Sequence, residues 1–363
     1  MYRRSLSVLA AMAMLGTAVA GSPARADDAA PRATARVLVN SLLSPLSLAV
    51  AADGTLFYSE NFKGTLLTKS GARPARKLFQ AKPGTEVGAV SEKGGVVRFA
   101  TTLPDGKGAY LKGIGPAGHV RTLADLGRYE KRRNPDRWTR YGFRELPDGC
   151  SVPDGYPFRY RGVVDAHPYG TEIWRGTTYV ADAAGNTVLA VGPTGRVRTV
   201  AVLPAVPVEV TPAFAEAGQL PECTVGATYF LEPVPTDVEE GPDGWLYVSS
   251  LPGRPEDGSK GAVGGVFGVN PRNGKVIRVA QGLVSATGVA VGRNGAVFVA
   301  ELFPGRIVKV RRGSRKVTTV YSAPLTAAVE LRRGRLYATT HALTGLSGEP
   351  GDTPQGRIVR IRR

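Results

Sequence analysis

Six times along this chain a short apolar strand, a glycine turn and a strand rich in β-branched or aromatic residues follow one another. That period constrains the fold more than any single motif. The clearest copies are "SLAVAADGTLFYSE" (47–60), "TDVEEGPDGWLYVSS" (236–250) and "TGVAVGRNGAVFVAE" (287–301). Looser copies are "GAVSEKGGVVRFATT" (88–102), "GTEIWRGTTYVAD" (170–182) and "AAVELRRGRLYATT" (327–340). Each is followed by a third strand, such as "TVLAVG" (187–192), and all but the last by a fourth, such as "RVRTVAVL" (196–203). The missing fourth strand stands at the other end of the chain, where "RVLVNS" (36–41) has no partners of its own. A ring of four-stranded blades closes when this N-terminal strand completes the C-terminal blade, leaving only short, protected edges. The sequence therefore predicts an all-β fold, a six-bladed β-propeller over residues 36–363. A sandwich or barrel also has short, evenly spaced strands, but gives no reason for six copies of a four-strand unit.

With the strands of each blade lettered A to D, the turns sort onto two faces. The A-to-B turns Asp53-Gly54, Gly94-Gly95, Asp243-Gly244 and Asn294-Gly295 are short and suit the positive φ of tight hairpins, so that face reads as scaffold. The B-to-C and D-to-A connections are long and uneven, with insertions at about 127–164, 204–235 and 251–264 in blades 2 to 4. Long loops on a rigid frame usually carry binding, so this capped face is where a ligand is expected. Cys150 falls in the first insertion and Cys223 in the second. A Cys150–Cys223 disulfide would tie the cap together, with two buried free thiols as the alternative.

The chain opens with Arg3 and Arg4, an apolar run from Leu6 to Ala20 and the small-residue site Ala24-Arg25-Ala26. This is the pattern of a cleaved export signal over residues 1–26, followed by a flexible stretch at 27–35. The apolar run is short for a membrane span, and no second one follows. The expected location is thus secreted or in the cell envelope. The formal net charge of +17 falls to +14 when the signal is removed, because residues 1–26 hold three arginines and no acid. Such a surface attracts anionic envelope polymers, while the absence of a recognition motif argues against nucleic acid. The expected form is a monomer, with a small molecule, glycan or protein as its partner.

Asp182 closes a B strand, and the repeat puts Glu60 and Glu301 at the equivalent place, so an acid there belongs to the fold as a backbone acceptor. Asn186 closes the same loop as Asp182, Asp165, His167 and Tyr169 precede strand A of blade 3, and His341 follows the last B strand. These eight residues are the binding-face candidates. No cofactor is expected. Should the oxygen ligands converge at the channel mouth, they suit calcium or magnesium better than a soft metal, with Glu60, Asp182 and Glu301 as the ligands of such a calcium ion. "RYEKRRNPDRWTRYGFR" (128–144) interleaves arginines with aromatics, and Arg137, Trp138 and Tyr141 are its cap candidates for polyanions or sugars. The competing reading is a short helix or loop packed on the propeller. "GIGPAG" (113–118) matches a dinucleotide fingerprint but lies between two strands with no helix to receive a pyrophosphate. There is no G-x-S-x-G elbow and no P-loop, and three histidines leave little material for a triad.

"VVDAHPYG", "YVADAAGNTVLAV", "GRVRTVAVLP" and "VPTDVEEGPDGWLYV" together resemble the ScyD/ScyE family of exported bacterial proteins related to NHL-type six-bladed propellers. The likeness covers nearly all of the mature chain and implies export and the propeller; it carries over no catalytic residue. His167 stands where the family pattern leads one to expect asparagine, and "SSLPGRPEDGS" (249–259) replaces a more acidic stretch. Two functional readings follow. One is an exported binding or scaffold propeller. The other is a metal-dependent lactonase or esterase similar to the gluconolactonase-like propellers, which needs Glu60, Asp182 and Glu301 to meet near the axis.

Overall fold

The computed structural model describes residues 33–106, 108–152, 158–253, 259–314 and 316–362. The export signal and residues 27–32 of the stretch after it lie outside the described residues, as do positions 254–258 of the third insertion. The chain is a β-propeller. Six of its seven four-stranded antiparallel sheets follow the repeat. Blade 1 holds Leu48–Val50, Leu56–Glu60, Thr65–Lys69 and Arg76–Gln80, and blade 3 holds Pro168–Trp174, Thr177–Asp182, Thr187–Val191 and Val197–Val202. The last blade runs Val329–Arg332, Arg335–Thr340, Gly356–Ile361 and then Ala35–Leu42. The N-terminal strand pairs antiparallel with the C-terminal one, Ala35 opposite Ile361 and Leu42 opposite Gly356. The A strands of successive blades pack side by side in a closed cycle, the sixth against the first.

A hydroxyl at the head of strand A stitches neighbouring blades together. Ser47 Oγ accepts from Val90 N (2.7 Å), while Thr171, Thr236 and Thr287 donate to the carbonyls of Ala89 (2.6 Å), Ala286 (2.9 Å) and Ala327 (2.7 Å). These short hydrogen bonds hold inner strands so close that Gly170 has no room for a side chain, since a Cβ there would lie 2.5 Å from Asp237 Cα. Between the sheets sit valine, leucine and phenylalanine clusters, such as Leu48, Tyr58 and Ile358 where blade 1 meets the closing blade.

The seventh sheet is built from the insertions alone. Its order is Arg159–Arg161, Arg140–Phe143, Thr228–Leu231, Val206–Glu209, so each of the first two insertions supplies two strands. Gly142 opposite Phe230 joins them, and the Cys150–Cys223 disulfide, with Cα atoms 5.5 Å apart, fixes the same junction covalently. Phe143, Phe214 and Tyr229 fill the space beneath in edge-on contacts. Among the described residues no helix is long and apolar enough to cross a membrane.

Candidate functional site

The acids that close the B strands hold the fold. In blade 1, Glu60 Oε1 accepts from Leu43 N (2.9 Å) and Oε2 from Lys63 (3.1 Å) and Thr65 (3.3 Å). In blade 5, Glu301 accepts from Val284 N (2.6 Å) and pairs with Arg306 (2.6 Å). Leu43 and Val284 each precede a residue bent into the left-handed region, Ser44 (φ 49°) and Ser285 (φ 50°), so the carboxylate braces the turn that leads into strand A. In blades 1 and 5 the backbone N–H that the acid accepts from lies in the loop before strand A. Blade 4 shows the logic from the other side: Pro233 has no N–H to cap, and Ser250 stands in the acid's place and donates to the Pro233 carbonyl. Asp182 receives His167 N (2.7 Å) and Gly185 N (3.3 Å) on one oxygen.

The structure does not gather Glu60, Asp182 and Glu301 around a metal. Among the described residues, no group of three or more His, Cys, Asp or Glu side chains is drawn together in that way. The reason is packing. Leu46, Tyr169, Ala183, Val234, Leu251, Leu302, Ala327 and Ala342 come from five blades, all at or just before the start of strand A or just after strand B, and form one buried apolar cluster. Residues so placed meet only at the axis, so the long-loop end of the channel is closed by hydrocarbon, and Tyr169 belongs to that plug. His341 lies beside it with Nδ1 3.2 Å from Thr340 Oγ1, its pKa lowered by partial burial and by Arg357.

Off the axis, beneath the cap, a second set of polar residues comes together. His167 is buried, with Nε2 3.1 Å from Glu86. Burial works against a charged ring, yet the Glu86 carboxylate, with Asp182 and Asp165, more than offsets it and raises the pKa of His167. Asp165 accepts from Ala166 N (2.9 Å). Asn186, wholly buried, donates to Asp136 (3.0 Å) and Glu232 (3.1 Å) and accepts from Val234 N (3.2 Å). Tyr141 points inward and donates to Asp136 (3.0 Å), whereas Trp138 is 70% exposed with the guanidinium groups of Arg137 and Arg161 each 5.3 Å from its ring. Burial raises the carboxyls here: Glu130 to about 9, Asp182 to about 6, and Asp136 and Glu232 in the same direction.

The opposite end of the channel is open. At the A-to-B turns, the face the sequence suggested was scaffold, lies a cavity of about 380 Å³. Its wall carries Glu92, Glu172, Glu239, Glu240 and Glu330, all on A strands. The one ammonium among these acids is Lys93, 2.6 Å from Glu240 and 3.7 Å from Glu172. Arg332 ends its A strand and Arg175 and Arg293 lie just past the ends of theirs, so all three stand nearer the mouth, with Trp174 beside them. Burial, reinforced by mutual repulsion, raises Glu172 to about 8 and holds Glu239 and Glu330 well above the carboxylate range. Asp237, just behind them, is raised to about 7 by burial even though Val238 N and Val289 N donate to it (both 2.9 Å). Sequence reasoning missed these acids, although the signal was there. Four of the six A strands carry a glutamate shortly before the turn, in "SEK", "TEIW", "VEE" and "VELR", where the other two read "LAVAADG" and "VAVGRNG".

No protein-family model and no curated protein matches the chain in sequence. Solved structures match its fold. A gluconolactonase of Xanthomonas campestris is similar over 94% of this chain and 97% of its own, at 12% identity and a TM-score of 0.54. An aldose sugar dehydrogenase of Streptomyces coelicolor, in its PQQ-bound form, is similar over 91% and 99%, also at 12% identity and 0.54. At that identity the likeness concerns the propeller architecture.

Proposed function

We propose that this chain is an exported binding propeller and that it takes its ligand into the acid-lined end of the central channel. The ligand we infer is a small molecule that enters with an ammonium group first. The observation that carries this reading is the cavity: its volume falls within the range of small-ligand sites, and its five glutamates have one lysine among them, with Arg175, Arg293 and Arg332 nearer the mouth. An entering ammonium would favour the ionised form of Glu172, Glu239 and Glu330, which burial and mutual repulsion otherwise keep protonated, and would pair with the carboxylates so formed. The arginines nearer the mouth favour a ligand whose trailing end is anionic, as in an amino acid with a long chain. The overall positive charge does not forbid this, because salt screens it within about 8 Å at physiological ionic strength, while the channel carboxylates act at contact. The resemblance to the ScyD/ScyE family and the disulfide both support export.

Titration calorimetry of the mature chain with 6-aminohexanoate, 1,4-diaminobutane and hexanoate tests the proposal. The two amines should bind and hexanoate should not, with the amino acid tighter than the diamine. Glu239→Gln combined with Glu330→Gln should weaken the amines at least tenfold. Equal silence from all three probes would overturn the reading.

A second reading has a specific observation behind it. Glu172 in the cavity wall has a pKa of about 8, and Asp237 just behind the wall one of about 7, which suits general acid–base work on a lactone or ester. Hydrolysis of such a substrate by the wild type and its loss in Glu172→Gln would favour that reading over simple binding.

A further inference from the structure

Beneath the cap, at the far end from the channel cavity, buried oxygen atoms stand without partners. The helix Leu126–Arg133 starts the first insertion, capped by Asp125, whose Oδ1 accepts from Arg128 N (2.8 Å). One turn apart on its inner face are Leu126 and Glu130, the only buried side chains of that helix. A glutamate in the run "YEKRR" would be expected to pair with its basic neighbours in solvent. Instead Glu130 is 1% exposed, and among the described residues neither of its oxygens has a hydrogen-bond partner.

Three side chains meet at Gly185 in the B-to-C turn of blade 3. A Cβ placed there would be 3.4 Å from Glu130 Oε2, 3.4 Å from Thr187 Oγ1 and 3.4 Å from the Asp182 carboxyl carbon. Thr187 and Asp182 are wholly buried, and Thr187 Oγ1 and Asp182 Oδ2 are unpartnered like Glu130. Asp136 Oδ1, on the next turn of the cap, is a further buried oxygen without a partner. Leaving such a group buried without a partner is costly, and more so when it is charged. The Thr187 hydroxyl does not belong to the acidic cluster at all, yet it faces the same point with nothing to bind.

We propose that Glu130, Asp182 and Thr187 form a calcium site that pins the cap helix to blade 3. All the donors are hard oxygens, which excludes a preference for zinc or copper. Two carboxylates and a hydroxyl, rather than three acids, make the set, with water available to complete it. Calcium tolerates such irregular mixed coordination, whereas magnesium demands a tight octahedron. Glycine at 185 fits the same reading, because any side chain there would fill the space between the donors. The site is distinct from the one required by the lactonase-like alternative, sharing only Asp182 with it. It is independent of the channel ligand.

The test is elemental analysis of the mature chain after dialysis against calcium at pH 7.5, paired with thermal melts in calcium, magnesium and EDTA. About one calcium per chain is expected, removable by EDTA, with a lower melting temperature after removal and recovery by calcium but not by magnesium. Glu130→Gln keeps shape and should lose both the calcium and the EDTA effect; Thr187→Val, a second variant, should lower calcium affinity about tenfold or more. A metal-free wild type whose melt is the same in calcium and EDTA overturns the proposal. So does a folded Glu130→Gln that retains full stoichiometry. Glu239→Gln, in the channel, should leave calcium binding intact, so failure here and failure of the channel reading are told apart.

Discussion

The two ends of the central channel are built from the same repeat and differ in one respect, namely what each blade points at the axis. At the long-loop end the blades contribute Leu46, Tyr169, Val234, Leu251 and Leu302, and the channel closes on hydrocarbon. At the short-turn end they contribute Glu92, Glu172, Glu239 and Glu330, and the channel stays open as a polar cavity. Loop length is therefore a poor guide to which end of the channel is open. The long insertions build a cap with its own sheet and disulfide, whereas the open site is made from ordinary A strands at the face with the tightest turns.

The largest way to break the contrast is at the plug. Leu302 is wholly buried there, and Leu302→Ala should cost about 3 kcal/mol, within the usual 2–5 kcal/mol span for such truncations. Urea unfolding measures the loss. Amine binding at the other end should survive wherever the variant is folded. A joint loss would mean the two ends are mechanically coupled.

Next in size is the cap. Its sheet is spliced from two insertions 73 residues apart at their cysteines, so replacing Cys150 and Cys223 with serine should cost about 2–4 kcal/mol. Limited proteolysis should then cut within the first two insertions, at about 127–164 and 204–235, while the blades stay resistant. Cleavage spread evenly over the chain would show the cap to be a pillar of the whole propeller instead.

The B-strand acids come third. Glu301→Ala leaves the Val284 N–H without its acceptor and frees Arg306, which should cost about 1–3 kcal/mol. Ser250→Ala, in the blade where Pro233 offers no N–H, should cost less. Equal losses at the two positions would argue that the acids brace something other than the bent turn before strand A.

Most of this architecture was legible in the sequence, because the period is written in apolar residues and glycine turns that every blade needs. The closure by Ala35–Leu42 followed from counting strands, and the pairing of Cys150 with Cys223 from placing both loops on one face. The site was less legible. Asp165, His167, Asp182 and Asn186 were singled out as unusual letters near loops, and the structure gathers them with Asp136 and Glu232 beneath the cap rather than on the axis. Glu130 was hidden because its neighbours Lys131, Arg132 and Arg133 make it look like one half of a surface ion pair. Glu172, Glu239 and Glu330 were hidden because a glutamate just before a hairpin ordinarily marks a strand end in water. Only the ring, which brings A strands from distant parts of the chain to one axis, turns them into a cluster.

The smallest effect is the pH dependence of that cluster, and it tests whether the channel is short of positive charge. Glu172 is faced by Lys93, Glu239, Glu240, Glu330 and Asp237, and burial above all lifts it to about 8 from an ordinary 4.5. The folded chain therefore keeps a proton that the unfolded chain releases between about pH 4.5 and 8. Stability from this group is fully present at low pH and is lost as pH rises through 8. Approach to the isoelectric point near 10 relieves general repulsion and pushes the other way, so the wild type alone is ambiguous. Glu172→Gln carries no charge at any pH, and the difference between the two chains isolates the group. Melts at pH 5, 7 and 9 should show the variant gaining on the wild type at each step. A constant difference would mean that Lys93 already neutralises Glu172 at pH 5, leaving the channel a closed ion pair with no vacancy for an ammonium ligand.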